Sequence, residues 1–108
     1  MNYIARITGK LAELLPDCPP DLLRFYAVLV LVLGTGTGWD DVHDAWSAWR
    51  DITRPDHPSL IPYGLLSGEV KALDDPYAKA IHQAAIWWWN DKHDRTLHAQ
   101  PATTGGQT

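Results

Sequence analysis

The sequence predicts a mainly α-helical fold: a small single-domain bundle of about four helices with one extended proline-rich segment. Three observations carry that expectation. Apolar residues recur at helical spacing in separate stretches, prolines and glycines punctuate the boundaries between those stretches, and 108 residues suffice for one core but not for two. Residues 1–96 are expected to form the domain, and 97–108, which lack periodicity, a flexible tail.

Ile4, Ile7, Leu11 and Leu14 define the first helix, with Asn2 as its N-cap and Pro16 as its stop. After the turn PDCPP, Pro20 suits the first turn of a second helix, Asp21 to Leu33. Apolar residues nearly surround that helix, so it is expected to be central and buried. Gly34 ends it, and GTGTG reads as a flexible connector. Thr37 and Asp40 resemble a capping box before a third helix from about Gly38 to Ile52. Trp39, Val42, Trp46 and Trp49 lie along one stripe of that helix, with His43 and Arg50 at its edge.

The stretch DHPSLIPYGLL, Asp56 to Leu66, then breaks the helical pattern. Pro58 and Pro62 cannot donate to a helix or a central strand, so an extended ledge is expected here. A helical turn near Ser67 to Leu73 follows. Asp75 and Pro76 read as N-cap and N1 of a last helix to about Lys92. That helix carries Trp87, Trp88 and Trp89. Successive helical residues point about 100° apart, so the three cannot share one face. Trp88 continues the Tyr77–Ile81–Ala84 stripe into the core, which leaves Trp87 and Trp89 as candidate interface residues.

Composition narrows the function. A formal net charge of −4 and a pI near 5.6 disfavour a nucleic-acid partner, which needs a basic face. One cysteine, Cys18, excludes an internal disulfide and a cysteine zinc cage. The longest apolar run, Phe25 to Leu33, is too short to span a bilayer, and no basic region precedes a signal-like core. A cytoplasmic protein with no membrane partner is expected. Enzymatic chemistry is not: GTGTG lacks the lysine of a phosphate loop, no Ser or Cys sits in a nucleophile elbow, and His43, Asp44, Asp56 and His57 match no two-histidine metal signature. His93, Asp94 and His98 fall near an expected frayed end, and neither a metal nor a cofactor is expected.

The order VHDAW, a later arginine, HPSLIPY, then Leu and Asp resembles the RyR domain, the small helical repeat named for ryanodine receptors. The matching positions are Val42, His43, Trp46, Arg50, His57, Pro58, Leu60, Pro62, Tyr63, Leu66 and Asp74. The chain is also similar to short actinobacterial and actinophage proteins. One departure is plain: the Gly-Trp-x-Tyr-Gly segment of that family is replaced by the shorter DITRPD, Asp51 to Asp56. The resemblance implies a non-enzymatic binding module for a nucleotide-like ligand, a sensor or, in a phage protein, a sequestering agent. It also implies that ledge and third helix form one surface. That surface would offer His43, Arg50, Arg54 and His57 as a polar edge and Trp46, Trp49 and Tyr63 as an aromatic one.

A base stacks on an aromatic face for ~1–3 kcal/mol and an arginine fork grips a phosphate, so an adenine-nucleotide-like ligand fits. Asp40, Asp41, Asp44 and Asp51 would oppose a heavily phosphorylated one. The same residues also have structural roles open to them. Trp46 can pack in the core, His43 can bond a backbone carbonyl of the ledge, and His57 can brace the loop. The alternative function is a protein-interaction module, a homodimer or a host-directed inhibitor, anchored by the exposed tryptophan of the last helix.

Overall fold

Asn2 opens the first helix as its N-cap, its side-chain oxygen accepting the Ala5 N–H at 2.8 Å. The computed structural model describes the backbone of residues 2–99 and the side chains of 2–92. Within them lie α1 (Tyr3–Leu14), α2 (Pro20–Val32), a 3-10 turn (Gly34–Gly36), α3 (Trp39–Thr53), a second 3-10 turn (Tyr63–Leu65), the short α4 (Gly68–Ala72) and α5 (Asp75–Ala99). The chain is mainly helical, with no strand among the described residues. No described helix is long and apolar enough to cross a membrane.

Ile7 and Leu11 of α1, Leu22, Leu23, Tyr26, Ala27 and Val30 of α2, Val42 and Trp49 of α3, and Ala78, Ile81 and Ala84 of α5 form one core. The stripe expected on α3 therefore divides. Val42 and Trp49 are buried, Trp46 is half-buried, and Trp39 is turned outward to donate its indole N–H to Asp75 at 3.2 Å.

Several boundaries differ from the sequence expectation, each for a local reason. The α3 cap is one residue later than Thr37 and Asp40 suggested: Asp41 accepts the Gly38 N–H at 2.8 Å, while the Thr37 hydroxyl donates to the Gly34 carbonyl. The GTGTG connector is pinned rather than flexible. Gly34 takes a φ of 57°, which only glycine adopts readily, and the His82 ring donates to the Thr37 carbonyl at 2.6 Å. Asp74, not Asp75, precedes α5, its carbonyl accepting from Ala78. That helix runs to Ala99 rather than Lys92. Residues 100–108 of the expected tail, and the side chains of His93, Asp94 and His98, lie outside what is described.

The proline-rich stretch is non-helical, as its prolines require, but it does not run extended. Arg54 accepts the His57 N–H and His57 accepts the Leu60 N–H, so the chain makes two tight turns before the Tyr63 3-10 turn. Turning twice saturates backbone groups that an isolated extended ledge would leave to water. α2 also departs from its expected burial. Its N-terminal half is in the core, whereas Val28, Leu31, Val32 and Leu33 near its end are exposed.

Candidate functional site

A cavity of about 370 Å³ opens where the α1–α2 loop, the N-terminal half of α2, α3, the 57–59 turn, α4 and the start of α5 meet. Five of the seven expected ligand residues line it: His43, Trp46, Trp49, Arg50 and His57. Arg54 does not; it is exposed, with its Nε 4.0 Å from Asp56. Tyr63 does not either. It packs behind the wall, its ring centroid 6.2 Å from that of His43, with the Lys71 ammonium 5.2 Å from its ring centre.

Helix α3 places its share by periodicity. His43, Trp46 and Arg50 recur at three and four residues and therefore fall on one face. The His43 ring is fixed there because its Nε2–H donates to the Ile61 carbonyl at 2.8 Å, tying α3 to the proline-rich turn. The Ile61 carbonyl can only accept, so that nitrogen carries the proton. His57 is set by its own turn: Nδ1 accepts the Ser59 N–H at 3.0 Å, and the ring meets Trp46 edge-on at 5.1 Å. Burial, then the charges of Arg54 and Arg50, holds the His57 pKa below its ordinary value, favouring the neutral ring.

Arg50 is the cation of the site. Its guanidinium carbon stands 4.3 Å from the Trp49 ring centre and 6.0 Å from that of Trp46. That contact occupies the indole face of Trp49, which the sequence offered as a stacking platform. Arg50 Nε is buried without a hydrogen-bond partner, and the side chain forms no ion pair among the described residues. Trp49 Nε1 is likewise buried and stands beside Asp21 without forming a hydrogen bond of good geometry. Its proximity is the first cause of the Asp21 carboxyl lying below its usual range.

Sequence reasoning missed the opposite wall: Asp17, Cys18, Leu22 and Tyr26 from one side, and Val70, Leu73, Asp74 and Tyr77 from the other. No local pattern marks these as partners of α3, because packing of distant segments brings them there. Desolvation acts on three of them. It raises the Asp74 carboxyl above its ordinary value, opposed by the His43 charge, raises the Tyr26 phenol, and with Asp21 pushes the Cys18 thiol up to about 11. A thiol so raised is protonated at neutral pH and a poor nucleophile. The Asp74 carboxylate forms no hydrogen bond or ion pair among the described residues. No group of three metal-ligating side chains is gathered among them.

The tryptophan triplet resolves on the far side of α5. Trp87 and Trp88 are half-buried under α1, with Arg6 5.8 and 5.7 Å from their ring centres, Lys10 5.7 Å from that of Trp87, and Tyr3 stacked on Trp88. Arg6 is held there by Asp91 at 2.8 Å. Only Trp89, 60% exposed, turns outward. It borders an apolar groove with Val30 to Leu33 of the α2 end, Ala85 and Ile86.

The fold and cavity together define a small all-α domain with an aromatic, mixed-charge pocket. Residues 2–86 match the family described as Domain of unknown function (DUF7701), and the chain belongs to that family. No curated protein and no solved structure matches it. The family match overturns the resemblance to the RyR domain. The residues that carried that resemblance have a local explanation here: His43 anchors Ile61, His57 braces Ser59, and Pro58 and Pro62 shape turns. Such a helix-and-turn arrangement can arise without common ancestry, and the family match does not support a phage origin.

Proposed function

We propose that the protein is a non-enzymatic small-molecule-binding module of a reducing cytoplasm, whose cavity takes a nucleotide-like ligand: a planar ring with a single anionic group. The observation that carries the proposal is the unpaired Arg50 at an aromatic cavity of about 370 Å³. That volume lies within the ~300–1,000 Å³ of ordinary small-molecule sites. Trp46, Tyr26 and Tyr77 supply flat apolar walls, and the guanidinium supplies a fork for one phosphate or carboxylate. Asp17 and Asp74 on the same walls disfavour a polyanion. Thermal denaturation with millimolar nucleoside monophosphates and cyclic mononucleotides tests this. A ligand raises the midpoint as RT ln(1 + [L]/Kd), and the rise disappears in Arg50→Met. No rise with any of them overturns the proposal.

A second reading is favoured by the exposed apolar face around Trp89: self-association of two copies of this chain. The face includes Val28, Leu31, Val32, Leu33 and Ile86, and the groove along it holds no acidic residue. An acidic chain meets its own copy most easily through a surface without acidic groups, and groove and protruding tryptophan share that surface, so it can pair with itself about a two-fold axis. Sedimentation of the wild type and of Val32→Glu tests it. A dimer converted to monomer supports it, and a wild type monomeric at hundreds of micromolar overturns it.

A further inference from the structure

Arg50 and Asp74, two charged groups of the cavity that form no ion pair among the described residues, are not partners of each other. Asp74 is next in the chain to Asp75, whose carboxylate accepts the indole N–H of Trp39, the first residue of α3, at 3.2 Å. His43, the first α3 residue to line the cavity, precedes Arg50 by seven residues on the same face. Seven residues are two helical turns, about 10 Å along the axis. The cavity thus has an acceptor pole near the start of α3 and a donor pole near its end, with Trp46 between them. That separation exceeds the spacing of ammonium and carboxylate within an amino acid. It suits the reach from the base edge of an extended nucleotide to its phosphate.

An ionised carboxylate only accepts, through two oxygens side by side. Its best planar counterpart is an edge carrying two adjacent N–H donors, the arrangement of N1–H and the exocyclic amino group in guanine. Adenine offers one donor beside a ring nitrogen lone pair, and that lone pair would face the carboxylate. From this we propose, building on the nucleotide-binding reading above, that the ligand is a guanine-type nucleoside monophosphate, its donor edge on Asp74 and its phosphate on Arg50. Asp17, on the wall of the same cavity, sets the limit at one phosphate. Among the described residues Asp74 also lacks a side-chain partner, so the ligand supplies hydrogen bonds they do not.

Isothermal titration of the full chain with guanosine, inosine and adenosine 5′-monophosphates tests the assignment. Guanosine monophosphate should bind about ten- to a hundredfold more tightly than adenosine monophosphate, with inosine monophosphate, which keeps N1–H and lacks the amino group, between them. Asp74→Asn should abolish that preference by weakening the guanosine ligand about tenfold or more while leaving the adenosine ligand within about twofold. A melt followed by circular dichroism confirms that the variant folds, and the wild-type ranking stands without it. Absence of binding by all three at millimolar concentration overturns the nucleotide-binding reading itself. Equal binding of guanosine and adenosine ligands, or a preference untouched by Asp74→Asn, overturns the guanine assignment alone.

Discussion

The second half of α2 is wholly apolar while the first carries Asp21 and Arg24, yet the first supplies most of the helix's buried residues. Leu22, Leu23, Tyr26 and Ala27 are buried, and two of them also wall the cavity. Val28, Leu31, Val32 and Leu33 lie one to two turns further on, and all are exposed. The cavity end is polar and aromatic, with histidines tied to backbone carbonyls or turns and an arginine over an indole. The groove end is uncharged save for Lys92. An apolar helix therefore does not imply a central one. Hydrophobicity reports that a surface is covered, and only packing says whether α1, α3 and α5 cover it or another molecule does.

The largest test of this contrast compares Ile81→Ala with Val32→Glu. Ile81 is wholly buried between the helices, so its truncation should cost about 2–5 kcal/mol in chemical denaturation. Val32 is 70% exposed, and its replacement should change monomer stability by less than about 0.5 kcal/mol while abolishing self-association. A large loss of stability in Val32→Glu at dilute concentration would place that half of the helix in the core after all.

Next in size is the link between α3 and the proline-rich turns. His43→Phe keeps the ring and removes the donor to the Ile61 carbonyl, which should cost about 1–3 kcal/mol. Hydrogen exchange should quicken at the His57 and Leu60 amides, whose turn bonds the anchor steadies. Unchanged exchange there would mean that Pro58 and Pro62 hold the turns unaided.

These residues also show how far the sequence could be read. Helix existence was legible because its signals are local: the Asn2 cap, Pro20 at N1, the glycine stop at Gly34. The α3 wall of the cavity was legible because helical periodicity aligns His43, Trp46 and Arg50. The turns at 57–60 were not, since proline excludes helix without choosing between extended chain and turn; the His57–Ser59 bond and the backbone bonds decide that. Cys18, Tyr26 and Tyr77 were hidden for a different reason, lying in separate elements that only the tertiary fold brings together. Asp74 was visible in the motif, but its isolation from any partner is a property of the packed cavity.

The smallest expected effect has the opposite sign. Burial raises the folded-state pKa of Asp74, so the native chain holds a proton there more firmly than the unfolded chain does. Its stabilising contribution is full below the ordinary carboxylate value and is lost as pH rises through the raised one. The ionised group is a net burden on the fold, because burial disfavours the charged carboxylate. Asp74→Asn should therefore raise the denaturation midpoint slightly at pH 7 and lose that advantage on acidification. His57 contributes differently in the same cavity: its depressed pKa makes the native state weaken as pH falls below the ordinary imidazole value, in the variant as in the wild type. Subtracting the two pH profiles isolates the Asp74 difference from that background. A variant less stable than wild type at neutral pH would make the carboxylate a brace of the fold, and would remove the physical reason for assigning it to a ligand.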